Sequence, residues 1–428
     1  MRYLWGLGFV LVIAIGFWIG TRGGSEVQGG ESAGFLAAPD QKAAAPAADL
    51  PVPPKVPVAV TPKLAPIAST PPPAPVPSAH PEETAIAAAV LHRPWKEVSV
   101  LVDQSSLPDA RKSLYAAVSA AVAGDFERAK RFSQRLEGSA DIDARERSLL
   151  ASALGSSPVA AVPASAATDS IAATAIALTL RARDAARLLA SGQSAEAARA
   201  YSDVLLADAT ATWPSDRTAL QRWTDGIDLA QTGYRWSAKG PWPSISETVK
   251  AGDSLTAIRQ RVLKANSQLL ICTGLIERVN QMASSKSIHP GDVLRIPTDR
   301  PHMLVDISTR WVLYMMGDEV VAAWEGGVGK PGNETQPGQY TIGVKQPNPP
   351  WFRPGGAPVP FGNPENPLGT RWLSWRLNGV ESHLGFHGTT DPSSVGGAVS
   401  SGCIRLRNED VEELFEILPE RADVLVQP

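Results

Sequence analysis

The segment PVPPKVPVAVTPKLAPIASTPPPAPVPSAHP, Pro51 to Pro81, sets the strongest limit on what this chain can fold into. Proline fixes φ and removes a backbone donor, so a run in which it recurs every few residues enters neither a helix interior nor a sheet ladder. With few large apolar side chains, the run cannot bury enough surface to offset its ordering entropy. A disordered, partly polyproline linker is therefore expected over 23–81. It divides a chain of 428 residues, whose length alone already asks for two or three domains.

Ahead of the linker, YLWGLGFVLVIAIGFWIG (Tyr3 to Gly20) carries no charge. About 18 apolar residues is close to the shortest run that spans a bilayer core. A transmembrane anchor within 1–22 is expected; a cleaved leader is the alternative, disfavoured because GTRGGSEVQ lacks a small-x-small cleavage site. The formal net charge of -3, with no basic patch, argues against nucleic acid as a partner.

Beyond the linker, 82–236 is Ala-rich with a helical period. Two pieces look alike, SLYAAVSAAVAGDFERAKRFSQRL from Ser113 and RDAARLLASGQSAEAARAYSDVLL from Arg183. Each places small residues on one helix, a glycine turn (Gly124, Gly192) and a second helix with alanine at the contact (Ala129, Ala197). The pattern is similar to tetratricopeptide hairpins, which would imply a protein partner here; a plain helical spacer is the other reading. SSPVAAVPASAATDS between the pieces reads as a break.

From Glu247 to about residue 298 the order changes to strand, helix, helix, strand. Thr248 and Val249 begin a strand, Asp253 or Ser254 caps a helix carrying Leu255 and Ile258, and Val293 to Ile296 closes the unit after the Pro290-Gly291 turn. This βααβ segment, with Gly252, Asp253, Ser254, Asn280, Pro290 and Gly291, resembles the LysM glycan-binding module. The resemblance implies glycan contacts at Gly252, Asp253, Ser254 and Asn280. Between Ile258 and Asn280 the chain runs several residues longer than that family. Cys272, flanked by Leu269, Leu270 and Ile271, reads as a small buried hydrophobe.

Over 302–428 the period becomes that of strands: MLVDISTRWVLYMM, a turn at GDEV, VVAAWEGGVG and GQYTIGVK, with one late helix at about Glu409 to Ile417. The chemistry concentrates in LGFHGTTDPSSVGGAVSSGCIRLRNEDVEEL, which holds His387 and Cys403, one of only two cysteines. A free thiol is only a few per cent thiolate at neutral pH and needs a base beside it. His387 is the nearest candidate, and the glycines between could fold the two together. Gly402 lets the backbone bend so that its own N–H and that of Cys403 point at a developing oxyanion. A disulfide from Cys403 to Cys272 is the competing reading.

HGT at His387, SSGCIRLRNEDVEEL from Ser400, and upstream VDISTRWVLY, GVGKPGNETQPGQYTI, PNPPW and NPLGTRW together resemble the YkuD-type L,D-transpeptidase domain. The resemblance implies a YkuD-like β-sandwich in which Cys403 is the nucleophile, His387 its base and the Gly388 carbonyl the group orienting the imidazole. Gly402 and Cys403 would form the oxyanion hole, and Arg405 would hold the loop or a substrate carboxylate. Ser401 stands where many members have histidine. Trp351 and His383 are further candidates for substrate contact. With the cysteine matched on both sides, the disulfide reading falls away.

The implied reaction is formation of 3-3 cross-links between peptidoglycan stems through a cysteine acyl-enzyme, with no cofactor and no metal. Hydrolysis as an L,D-carboxypeptidase, attachment of a protein to peptidoglycan, and a wall-binding scaffold are the alternatives. The expected partners are glycan strands, stem peptides and the membrane. The expected place is the bacterial cell envelope, anchored at the inner membrane with the catalytic domain outside the cytoplasm.

Overall fold

A computed structural model describes residues 81–155, 170–209, 217–283, 287–353 and 356–428. The expected membrane segment, the linker up to its last residue and most of the break before Ser170 lie outside the described residues. Among those described, no helix is long and apolar enough to cross a membrane.

Eight helices come first: α1 (Pro81–His92), α2 (Trp95–Gln104), α3 (Asp109–Val122), α4 (Phe126–Gln134), α5 (Ala144–Leu154), α6 (Ile171–Ala190), α7 (Ser194–Asp208) and α8 (Arg217–Gly233). Their starts follow from short polar side chains that satisfy orphan N–H groups. Asp125 accepts from Arg128 N, Ser170 from Ala173 N, and Asp143 forms a reciprocal capping box with Glu146. Gly124 and Gly192, at φ +83° and +79°, reverse the chain after α3 and α6. Ala129 and Ala197, both fully buried, let each following helix pack close.

The strands and remaining helices are β1 (Ser244–Thr248), α9 (Leu255–Ala265), α10 (Thr273–Val279), β2 (Val293–Pro297), β3 (Pro301–Asp306), β4 (Trp311–Met316), β5 (Glu319–Glu325), β6 (Val328–Gly329), β7 (Gly338–Pro347), β8 (Arg371–Leu377), β9 (Val380–His387), β10 (Ala398–Ser400), β11 (Ile404–Arg405), α11 (Asn408–Ile417) and β12 (Asp423–Gln427). β1 and β2 pair antiparallel around α9 and α10, with Val249, Leu255, Ile258, Val262, Ile276 and Ile296 as their core.

Residues 302–428 depart from the expected sandwich. They are built on one eight-stranded sheet, ordered β11-β9-β8-β7-β12-β3-β4-β5, beside a two-stranded β6–β10 pair. No second stacked sheet is needed because helices cover the faces. Alternation along β4 sends Trp311, Leu313 and Met315 into the core of the helical region, and Val312, Tyr314 and Met316 into the core shared with α11. A strand covered on both faces is apolar throughout, which is why WVLYMM does not alternate in polarity. MLVDISTRWVLYMM is also two strands and not one. Asp306 Oδ1 accepts from Ser308 Oγ, Thr309 N and Thr309 Oγ1 at 2.7–2.8 Å, and Arg310 at φ +65° completes the reversal.

Candidate active site

The edge of the large sheet positions His387 and Cys403. β9 and β11 run parallel, with Phe386 opposite Ile404 and His387 opposite Arg405. Phe386 and Ile404 are fully buried in the core. By the two-residue period, the other face carries Gly385, His387 and Arg405, and Cys403 lies in the bend immediately before Ile404. Trp372, opposite His387 on β8, adds its half-buried indole, whose centroid is 6.1 Å from the imidazole.

Gly385 is what makes room. A Cβ there would stand 2.4 Å from Leu373 O and 3.0 Å from Trp372 Cη2, so no larger residue fits without displacing the sheet. Cys403 Sγ donates to His383 O at 3.4 Å, and the Gly385 backbone beside it favours the thiolate. Burial raises the Cys403 thiol to about 11, against the lowering effects of the Gly385 N–H and the Arg405 charge.

His387, 4% exposed, places Nδ1 2.6 Å from Gly388 O. A carbonyl only accepts, so Nδ1 carries the proton and Nε2 is the basic nitrogen. Burial lowers His387 to about 4; the Gly388 bond opposes that shift, and Arg405 adds to it. Both shifts favour the uncharged forms, thiol and imidazole.

The turn before the cysteine is held by Ser400, a buried residue that sequence reasoning did not single out. Its Oγ accepts from Gly402 N at 3.1 Å and donates to Cys403 O at 2.6 Å. Gly402 takes φ +107°, with Leu384 Cδ2 3.1 Å from where a Cβ would stand. The Ser400 bond turns the Gly402 N–H into the loop and not toward a reacting carbonyl. Ser401 is exposed.

Arg405 is half-buried, and its Nε is buried without a partner. Burial lowers its basicity, opposed by Asp391 and Cys403, and its backbone exchanges hydrogen bonds of 2.7 and 2.8 Å with Gly327. The His383 side chain is exposed. Trp351 sits in the connection from β7 to β8, exchanging two 2.8 Å backbone bonds with Val359. The buried Asn366 fastens that connection by donating to Pro349 O and Val359 O. Among the described residues no hydrogen bond or ring contact joins Trp351 to His387 or Cys403.

The other predicted residues lie in the β1–β2 module, where the side chains of Asp253, Ser254 and Asn280 bond within the module. Asp253 accepts from Lys250 N and makes two 2.9 Å bonds with Arg261, which holds its carboxyl at about 2. Ser254 caps α9, and Gly252 turns at φ +80°. Asn280 donates to Ile276 O and Arg295 O and accepts from Arg295 N, all within 2.8 Å. Cys272 is a free thiol that donates to Glu416 O at 3.0 Å on α11, and Cys403 is free as well.

The missed residues left a signal in the sequence. A glycine two positions before a histidine inside a strand marks a close approach of other groups, and Ser400-x-Gly402 is a serine turn.

Residues 300–426 match the L,D-transpeptidase catalytic domain of the YkuD family, and residues 248–297 match the LysM domain. The chain is 34% identical over 189 residues to a candidate L,D-transpeptidase, YkuD of Bacillus licheniformis, covering 42% of this chain and 97% of that protein. Its counterpart YkuD in Bacillus subtilis is 32% identical over 184 residues, covering 42% of this chain and 98% of that one. A second candidate L,D-transpeptidase of Bacillus subtilis, YqjB, is 33% identical over 132 residues, 31% of this chain and 73% of its own. A sequence more than 30% identical to two such relatives and matched across nearly the whole of each places this chain in the YkuD-type L,D-transpeptidase family, with a LysM domain preceding the catalytic one.

Proposed function

We propose that this protein is a peptidoglycan L,D-transpeptidase that forms 3-3 cross-links through an acyl-enzyme on Cys403. What supports this reading is the parallel pairing of β9 with β11, with His387 at the end of β9, its Nδ1 bonded to Gly388 O, and Cys403 immediately before β11.

His387 Nε2 takes the thiol proton as sulfur attacks the carbonyl carbon that links the third, diamino-acid residue of a tetrapeptide stem to D-Ala. Because both partners start neutral, proton transfer accompanies attack and does not precede it. The C–N bond breaks and the D-Ala amine leaves with that proton. A side-chain amine of a second stem then attacks the thioester, gives its proton to His387 and releases Cys403.

The Cys403 N–H is the donor we assign to the oxyanion, and the Gly402 N–H serves only if it exchanges Ser400 for substrate. Arg405, whose Nε has no partner, suits a substrate carboxylate. Ser401, His383 and Trp351 are assigned to the rim.

The LysM module holds glycan while the catalytic domain acts on the stems. Gly252, Asp253, Ser254 and Asn280 shape its surface more through backbone placement than through free side chains. Residues 1–22 anchor the chain in a membrane, 23–81 give it reach, and the folded part works in the cell envelope outside the cytoplasm. The units we assign are 82–236, 247–298 and 302–428.

Mass spectrometry of the full chain incubated with tetrapeptide-stem muropeptides tests the reaction. A covalent adduct lacking D-Ala is expected, present in wild type and absent in Cys403→Ala, followed by cross-linked dimer. Tripeptide without dimer would make the protein a carboxypeptidase. Glycan binding with neither adduct nor product would make it a scaffold.

A further inference from the structure

We infer that Asn408, the first residue of α11, is the positioning residue that sets the tautomer and orientation of His387 through the Gly388–Thr389 peptide. This rests on the reading of His387 as the base for Cys403.

The carbonyl that accepts from His387 Nδ1 belongs to Gly388. The same planar peptide unit carries the Thr389 N–H, which in a trans peptide points the opposite way. That N–H donates to Asn408 Oδ1 at 3.1 Å. One side-chain oxygen therefore holds one end of the peptide whose other end holds the imidazole. Accepting from the N–H also polarises the carbonyl, strengthening its grip on Nδ1–H.

The same Oδ1 accepts from Thr370 N at 3.2 Å, just before β8. The end of β9 and the beginning of β8 are thus pinned to one atom at the start of α11. Two N–H donors on this atom identify it as the oxygen and not the nitrogen of the amide.

The surrounding glycines are explained by this oxygen. A Cβ on Gly388 would stand 2.2 Å from Asn408 Oδ1, and one on Gly369 2.3 Å from it. Gly369 also adopts φ +63°. Both positions lack a side chain where the amide must touch backbone. A buttress serving stability alone would not need to engage the peptide that carries the acceptor for His387.

Replacing a triad's third member by a peptide leaves the imidazole held by a neutral dipole, which rotates unless something fixes it. Thr389 is 1% exposed, so no water competes for its N–H. Without Asn408 that N–H is buried and unpaired, and the peptide gains by turning, which takes the carbonyl away from Nδ1.

The test uses the full chain with ¹⁵N-labelled histidine, His387 being identified among six histidines by its loss in His387→Gln. In wild type the ring nitrogens should report Nδ1–H. In Asn408→Ala the Nε2–H form should grow, with kcat for D-Ala release falling about 10- to 100-fold, the scale of a small misplacement, and KM nearly unchanged. Asn408→Asp keeps the accepting oxygen and should keep both the Nδ1–H form and turnover near wild type.

An Asn408→Ala protein that retains the Nδ1–H form, or loses activity through KM alone, overturns the inference. Should Asn408→Ala not fold, Asn408→Asp decides by itself: folded protein with the Nε2–H form overturns it. A wild type that forms no Cys403 adduct would instead defeat the acyl-transfer reading, and the tautomer comparison would still stand.

Discussion

At the scale of single residues, burial favours the neutral forms of both groups proposed to react. An unfolded histidine takes its proton near about 6.5, whereas His387 in the fold does so at about 4. A depressed folded value means the unfolded chain binds the extra proton between those limits. Stability is therefore fully present above about 6.5 and is lost as pH falls toward 4, by on the order of 3 kcal/mol. Chemical denaturation at a series of pH values, with His387→Gln as the reference lacking this slope, measures it. The thiol gives a second readout. Alkylation of Cys403 should rise with a midpoint near 11, not near the usual ~8.5, in the absence of substrate. A midpoint near neutrality would mean a resident thiolate–imidazolium pair. Cys403 and His387 stood out in the sequence as candidates because their residue types can carry the chemistry. Asn408 was not, because an asparagine in a polar stretch looks the same whether it faces solvent or a buried N–H, and Ser400 was marked only by its two-residue spacing to Gly402.

At the scale of elements, the site depends on where backbone can approach backbone. Gly385 lies within β9, with Leu373 O 2.4 Å from its missing Cβ. Gly385→Ala must push β8 and β9 apart or rotate the Cys403 partner away. A loss of about 1–3 kcal/mol, the usual cost of overpacking, is expected in thermal unfolding, with a larger fall in acyl-enzyme formation than in stability. Unchanged acylation would show that the β8–β9 spacing does not set the thiol's place. The late helix was readable from its apolar spacing, and it begins at Asn408, one residue before the expected start. The break at Asp306–Arg310 was hidden because apolar side chains continue on both sides of it, while the polar turn between them is only a few residues long. The longer LysM segment became an element of contact. Leu270 enters the catalytic core, and Arg421 donates to Ser267 O and Leu269 O.

At the scale of the whole molecule, the described regions are not independent modules on a string. Trp311 of β4 donates to Asp208 of α7 at 2.8 Å and stacks on Trp223 of α8, while Ser202 Oγ accepts from Val320 N. On the other face, α10 meets α11 where Gly274 leaves no room for a Cβ beside Glu416 O and Arg278 pairs with Glu413. Trp311→Ala, a fully buried position, should cost about 3–5 kcal/mol and split a single thermal transition into separate steps for the helical and catalytic regions. A single transition at lower temperature would mean that the two regions still unfold as one. By itself the sequence determined the helical period of 82–236, the strand, helix, helix, strand order that follows it and the strand-rich character of the last region, and it singled out the cysteine and histidine now proposed as the reacting pair. These are properties of composition, local spacing and residue type. Only the tertiary structure decided that one sheet replaces the expected sandwich, that the helical region covers it, and that Asn408 reaches the peptide beside His387. Those depend on which surfaces bury one another across distances of many residues, and a local period records that a face is apolar without recording what covers it.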